Sequence, residues 1–111
     1  MCLNDLEVFS KMPFFFWVKD ESGKYLFGNQ TIANYAGEDI VGKFDRDLVW
    51  GDDAEALLEA DRQVFESGKP LYVQESVEKS SHGMGATFNV CKWLEELDGK
   101  RCCFGLSFII E

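Results

Sequence analysis

Long apolar runs are missing from this chain. No stretch approaches the roughly 20 residues needed to cross a bilayer, and the opening Met1-Cys2-Leu3-Asn4-Asp5 has neither the basic flank nor the apolar core of a secretion signal. A cytoplasmic location without a membrane partner is the expectation. Positive charge is scarce too: 11 Lys and Arg stand against 20 Asp and Glu, for a formal net charge of -9. That balance argues against a nucleic-acid partner or an anionic membrane surface, which would both repel an acidic face. The one histidine is His82, and the four cysteines (Cys2, Cys91, Cys102, Cys103) form no C-x-x-C pair and have no histidine at ligand spacing. They read as buried or half-buried thiols in a reducing compartment rather than metal ligands. No nucleophile stands next to a base and no glycine-rich phosphate loop is present, so no residue is assigned a catalytic role.

What is present suffices for one globular domain. The chain has 111 residues, 46% of them hydrophobic, and ten phenylalanines to fill a core. Residues 1–12 place Leu3, Leu6, Val8 and Phe9 at helical spacing before Pro13, which predicts a short amphipathic N-terminal helix. Phe14-Phe15-Phe16-Trp17-Val18 suits a strand covered on both faces, and the turn residues Asp20-Glu21-Ser22-Gly23 lead into a second strand over 24–28. Asn29 is an N-cap for a short helix to Ala36, and a second turn is expected over 38–41. Asp52 with Glu55 reads as a capping box opening a longer helix. Its stripe is Ala54, Leu57, Leu58, Val64 and Phe65, and it stops at Gly68 before Pro70.

From Leu71 the period changes to two, and two further strands over 87–95 and 101–110 meet across Asp98-Gly99, a strong hairpin signal. This order gives an α+β fold: a five-stranded antiparallel sheet with the helices inserted between strands two and three and packed on one face. With Asp98 and Gly99 at the turn, Trp93 falls opposite Phe104 and Leu94 opposite Cys103, so both sheet faces are apolar. The second face needs a cover: the N-terminal helix, a second copy of the domain, or both. Leu3, Leu6 and Phe9 are the candidate dimer contacts.

From Pro13 to Ile110 these residues resemble the PAS family. Phe16-Trp17-Val18-Lys19-Asp20, Gly23-Lys24-Tyr25-Leu26 and Asn29 look like its first hairpin and first short helix. Ile40-Val41-Gly42-Lys43 with Asp47-Leu48 looks like its second helical turn, Ala60-Asp61-Arg62 through Pro70 like the end of its long helix, and Asp98-Gly99-Lys100 with Gly105 like its last hairpin. The resemblance implies a sensory module that does no chemistry, is homodimeric, and serves an output domain such as a histidine kinase, a diguanylate cyclase or a transcriptional regulator. The ending Phe108-Ile109-Ile110-Glu111 departs from the Asp-Ile-Thr that often leads into an output helix in that family, and a chain cut from a larger protein is the expectation.

The resemblance also bears on the signal. The adduct-forming flavin branch needs a cysteine in the middle helical segment, and none lies between Asn29 and Pro70. A haem branch needs a proximal histidine on the long helix, whereas His82 falls in the loop over 80–85, with Met84 as a conceivable distal ligand. Neither cofactor is expected, and the ligand is left unknown. Candidate cleft residues are Tyr35, Trp50, Asp61, Phe65, Asn89, Cys91 and Ser107. Asp61 interrupts the apolar stripe, and an inward carboxylate requires a partner. Lys92, mid-strand, matches a position often basic in that family and would pair with an acid or hold an anionic ligand. Two alternatives to ligand sensing stay open: a ligand-free dimerisation module with a filled core, and a small metal-binding domain built on Asp45, Asp47, Asp52 and Asp53.

Overall fold

The change of period along the chain is the change of element. In a computed structural model, which describes residues 1–83 and 85–110, five strands form one antiparallel sheet: β1 (Phe15–Lys19), β2 (Tyr25–Gly28), β3 (Leu71–Val77), β4 (Ala86–Leu97) and β5 (Lys100–Ile109). Their order is β2-β1-β5-β4-β3, so the first and last strands lie side by side at the centre. The connection from β2 to β3 carries α1 (Gln30–Ala36), 3₁₀ turns at Asp45–Asp47 and Gly51–Asp53, and α2 (Ala54–Ser67). These pieces pack on one face, called inner here. The expected α+β architecture is the one observed.

Local chemistry sets the joints. Asp20 Oδ1 accepts from the Ser22 and Lys24 amides, closing the β1–β2 turn. Asn29, 1% exposed, ties three segments together: its Oδ1 accepts from Ile32 N at 3.2 Å as the α1 cap, and its Nδ2 donates to the carbonyls of Phe9 and Phe14. In the last hairpin Asp98 and Gly99 both take positive φ, 50° and 80°, as a two-residue type I′ turn requires. Trp93 therefore pairs with Phe104 and Leu94 with Cys103, in the register the sequence predicts.

The expected short N-terminal helix forms, as a 3₁₀ helix over Leu3–Phe9. Two other local expectations differ from the structure. No helical turn forms over 38–41, only a turn at Val41 and Gly42. Asp52 does not cap α2, which begins at Ala54. The acids there are drawn across to the β3–β4 connection instead, where Asp53 Oδ2 accepts from the Glu78 amide at 3.0 Å and Asp52 pairs with Lys79.

Under the N-terminal helix the outer face of the sheet is dry. Phe16, Val18, Cys102 and Phe104 are buried there under Leu6, and Phe9 stacks on Phe16 with ring centroids 4.3 Å apart. Of the three residues expected at a dimer contact, Leu6 is fully buried within its own chain and Phe9 half-buried, so only Leu3 faces outward. The N-terminal helix spends its apolar stripe on its own sheet because Asn29 and the Ser10 carbonyl, which accepts from the Gln30 amide, hold it there.

Candidate functional site

Alternation on the strands sends Phe15, Trp17 and Lys19 of β1 inward, with Glu75 of β3, Lys92 of β4 and Ser107 of β5, and there the inner face becomes polar. Two lysines and three carboxylates form a continuous chain. Asp45 Oδ1 accepts from Tyr25 Oη at 2.6 Å and Trp50 Nε1 at 2.8 Å, and its Oδ2 lies 2.5 Å from Lys19 Nζ. Lys19 Nζ reaches Asp61 Oδ2 at 2.7 Å, and Asp61 Oδ1 meets Lys92 Nζ at 2.9 Å. Lys92 Nζ then stands 2.8 Å from Glu75 Oε2, an ion contact that lacks the direction of a hydrogen bond. Each of the two 3₁₀/α2 acids thus crosses to a strand lysine.

These groups are removed from water: Lys19 is 2% exposed, Lys92 1%, Asp45 0% and Asp61 4%. Burial alone would lower the Lys19 pKa, but the oxygens of Tyr25, Asp45 and Asp61 outweigh it and hold the ammonium well above its ordinary range. Burial pushes the Asp61 carboxyl up, and Lys19 and Lys92 overcome that and hold it below its usual value. Burial raises the Tyr25 phenol well above its ordinary pKa, so it stays a donor to Asp45. The Cys103 thiol, raised by burial and by the Asp61 carboxylate to about 12, is inert.

The chain of charges runs beside a cavity of about 60 Å³ on the inner face. Phe15, Phe88, Val77, Val90, Leu57 and Ile32 supply apolar wall, and Trp17, Tyr35, Trp50, Glu75 and Ser107 supply polar atoms. Gly105 lets Trp17 lie across β5: a Cβ there would come within 2.2 Å of the indole. Tyr35 meets Phe15 and Phe88 edge-on. Among the described residues, three buried polar atoms on this wall have no hydrogen-bond partner: Trp17 Nε1, Tyr35 Oη and Glu75 Oε2. Burial raises the Tyr35 phenol, and the Ser80 hydroxyl acts in the opposite sense from a position that approaches Tyr35 Oη without completing a hydrogen bond. Unmet groups of this kind are costly in a core and point to an occupant that meets them.

The structure brings together Tyr35, Trp50 and Ser107 on the cavity wall, with Asp61 one layer behind the lysines. It does not bring Phe65, Asn89 or Cys91 there. Phe65 lies half-buried under Arg101, 5.3 Å from its guanidinium, on the far side of α2. Asn89 and Cys91 point to the outer face, beside Tyr72, Leu106 and Phe108, because they alternate with the inward Phe88, Val90 and Lys92. Lys19, Glu75 and Asp45 were not singled out as cleft residues. Glu75 falls in phase with the inward Val73 and Val77 of its strand, and a charge in that phase is the signal that could have found it.

The four acids of the metal alternative do not converge. Asp45 is consumed by Lys19, Tyr25 and Trp50, while Asp52 and Asp53 face the β3–β4 connection, and among the described residues no group of three or more potential ligands is placed to hold an ion. His82 is exposed in its loop, and Met84 lies outside the described residues. No helix among the described residues is long and apolar enough to cross a membrane.

No curated protein matches the chain. Among solved structures, the Vibrio cholerae VqmA dimer in the absence of target DNA superposes with a TM-score of 0.84 at 17% identity, over 100% of this chain and 53% of VqmA. VqmA bound to DPO gives 0.84 at 17% identity, over 98% of this chain and 57% of that one. The PAS domain of the Cronobacter turicensis quorum-sensing receptor RpfR, in complex with BDSF, gives 0.74 at 17% identity, over 92% of this chain and 98% of that one. The chain thus spans about half the length of VqmA, and at such identities the likeness shows the fold. The family model described as the PAS fold matches residues 9–102, most of the chain. The five-stranded sheet with its helices on one face, and the sequence match that runs through it, place the chain in the PAS family of sensory, non-catalytic domains.

Proposed function

We propose that this domain is a ligand sensor: a small molecule enters the inner cavity and its binding regulates an attached output domain. The observation that carries the reading is the set of three buried polar atoms without a hydrogen bond on one cavity wall: Trp17 Nε1, Tyr35 Oη and Glu75 Oε2, the last held by ion contact with Lys92 alone. At about 60 Å³ the cavity exceeds the roughly 10–15 Å³ one water requires. It is well below the roughly 300–1,000 Å³ of pockets for drug-sized ligands. The occupant therefore has few heavy atoms, or enters as side chains such as Tyr35 turn aside. Tyr35, Trp50 and Ser107 contact it, and Asp61 holds the lysines behind it. The DPO bound to VqmA and the BDSF bound to the RpfR PAS domain support the reading by analogy of fold.

The domain acts as a cytoplasmic homodimer. Tyr72, Phe108 and Ile109 are 76%, 51% and 48% exposed, and Tyr72 and Phe108 flank one groove on the outer face, beyond the cover of the N-terminal helix. The dimer of VqmA supports this. The output domain is a histidine kinase, a diguanylate cyclase or a DNA-binding regulator. In the last case the nucleic acid is held by that domain, since this one carries a net charge of -9.

Native mass spectrometry of the freshly purified domain beside its denatured mass tests both statements. A dimer with extra, non-covalent mass is expected. A bare monomer that no small molecule stabilises against heat would overturn them, and a bare dimer would favour a ligand-free dimerisation module.

A further inference from the structure

The charge chain beside the cavity does not balance. It contains two ammonium groups, Lys19 and Lys92, and three carboxylates, Asp45, Asp61 and Glu75, which leaves one negative charge in surplus. The surplus is not spread evenly. Asp45 and Asp61 have both oxygens engaged and stand behind the lysines, whereas Glu75 is the one carboxylate of the chain on the cavity wall, and its Oε2 has no hydrogen bond.

Both lysines are occupied. Lys19 Nζ is held by two carboxylates and lies 4.9 Å from the centre of the Tyr25 ring. Lys92 Nζ donates to Asp61 Oδ1 and the Leu57 carbonyl, and its charge is met by both Asp61 and Glu75, the latter by ion contact alone. An anionic ligand would have to pull a lysine from an internal carboxylate and would add a second uncompensated negative charge in a desolvated site. A ligand that donates hydrogen bonds to Glu75, or brings a positive charge, completes the chain. The remaining unmet atoms, Trp17 Nε1 and Tyr35 Oη, are donors, so the same ligand needs an acceptor or a π-face on its other side.

Building on the ligand-sensing reading, the geometry points to a small, uncharged or cationic nitrogen compound as the ligand class, with N–H donors on Glu75 and an acceptor or aromatic face toward Trp17 and Tyr35. Glu75 sets this specificity. Carboxylate ligands are rejected.

Three isosteric probes separate the possibilities: acetamidinium, acetamide and acetate, titrated near neutral pH while the Trp17 indole N–H and the cavity-wall amides are followed by nitrogen-edited NMR. The expected result is saturable shifts at the wall, with acetamidinium binding at least about tenfold tighter than acetate and acetamide between them. In Glu75→Gln the preference for acetamidinium over acetate falls to within about threefold. Acetate binding at the wall as tightly as acetamidinium overturns the assignment of ligand class and leaves the cavity reading standing. A preference that survives Glu75→Gln removes Glu75 as its cause. If none of the probes shifts the wall at any concentration, the ligand-sensing reading itself fails, and this inference with it. The comparison of probes on the unaltered chain needs no variant to fold.

Discussion

The two faces of one sheet are built on opposite principles. Along β1 the outward residues Phe16 and Val18 enter a cluster of aromatics and aliphatics that asks nothing of its neighbours but shape. The inward residues Phe15, Trp17 and Lys19 enter a space where lysines and carboxylates are stripped of water and survive only by holding one another. Replacing such a network by apolar residues is often neutral or stabilising. Its presence on one face alone therefore argues that the inner face answers to geometry and ligand, and the outer face to stability and assembly.

Single truncations would break the comparison most directly. Asp61→Ala leaves Lys19 and Lys92 facing each other without the carboxylate that joins them, and a loss of about 3–5 kcal/mol is expected. On the outer face Leu6→Ala is expected to cost about 2–5 kcal/mol through the cavity it leaves. Urea unfolding measures both. If Asp61→Ala costs under about 1 kcal/mol, the lysines find water readily and the network is not the closed structure described. If Leu6→Ala is that mild, the N-terminal helix is not part of the fold.

The pH dependence of stability sharpens the contrast, because the ionisable network belongs to the inner face. The Asp61 pKa is depressed in the fold, by Lys19 and Lys92 against burial, so its contribution is complete above the unfolded value of about 3.9 and is lost as pH falls through the lower folded value. The Lys19 pKa is raised, so its contribution is complete below about 10.4 and is lost as pH rises through the higher folded value. The buried Tyr25 phenol, also raised, acts in the same direction, since the unfolded chain releases that proton first. Urea midpoints measured across pH should fall at both ends. Leu6→Ala should shift the profile down without changing its shape, and Asp61→Asn should make the acid limb shallower. Parallel profiles for the two variants would remove Asp61 as a source of that limb.

The same contrast explains what could be read from sequence. Elements with a repeating period were legible: the stripe of α2, the alternation of β3, and the register of the β4–β5 hairpin fixed by Asp98 and Gly99. Asp61 stood out as a charge inside an apolar stripe, and Lys92 as a mid-strand lysine at a position often basic in the family it resembles. Lys19 was masked by the continuous apolar run before it, which has no visible phase, and Asp45 by its neighbours Asp47, Asp52 and Asp53, of which the first two are exposed and the third half-buried, and which carry the ordinary meaning of acids near a helix start. Asn89 and Cys91 were misplaced for a different reason. They sit one residue away from inward positions, and a single step along a strand exchanges the faces. That Asp45 and Asp61 share Lys19 is a contact between residues far apart in sequence, and no local period encodes it.

The smallest expected effect carries the most information about the inner face. Tyr35 Oη is buried on the cavity wall without a hydrogen-bond partner, so the hydroxyl weakens the fold it belongs to. Tyr35→Phe keeps the ring that meets Phe15 and Phe88 edge-on and removes only that oxygen. The expected outcome is a domain of unchanged or slightly higher stability, by up to about 1 kcal/mol, that retains less of any co-purifying small molecule in native mass spectra. A hydroxyl kept at a cost to the fold and needed for retention has its reason in the ligand. If the variant instead loses stability, the oxygen has a partner in solution, and the inner face is held together in the same way as the outer one, by its own groups alone.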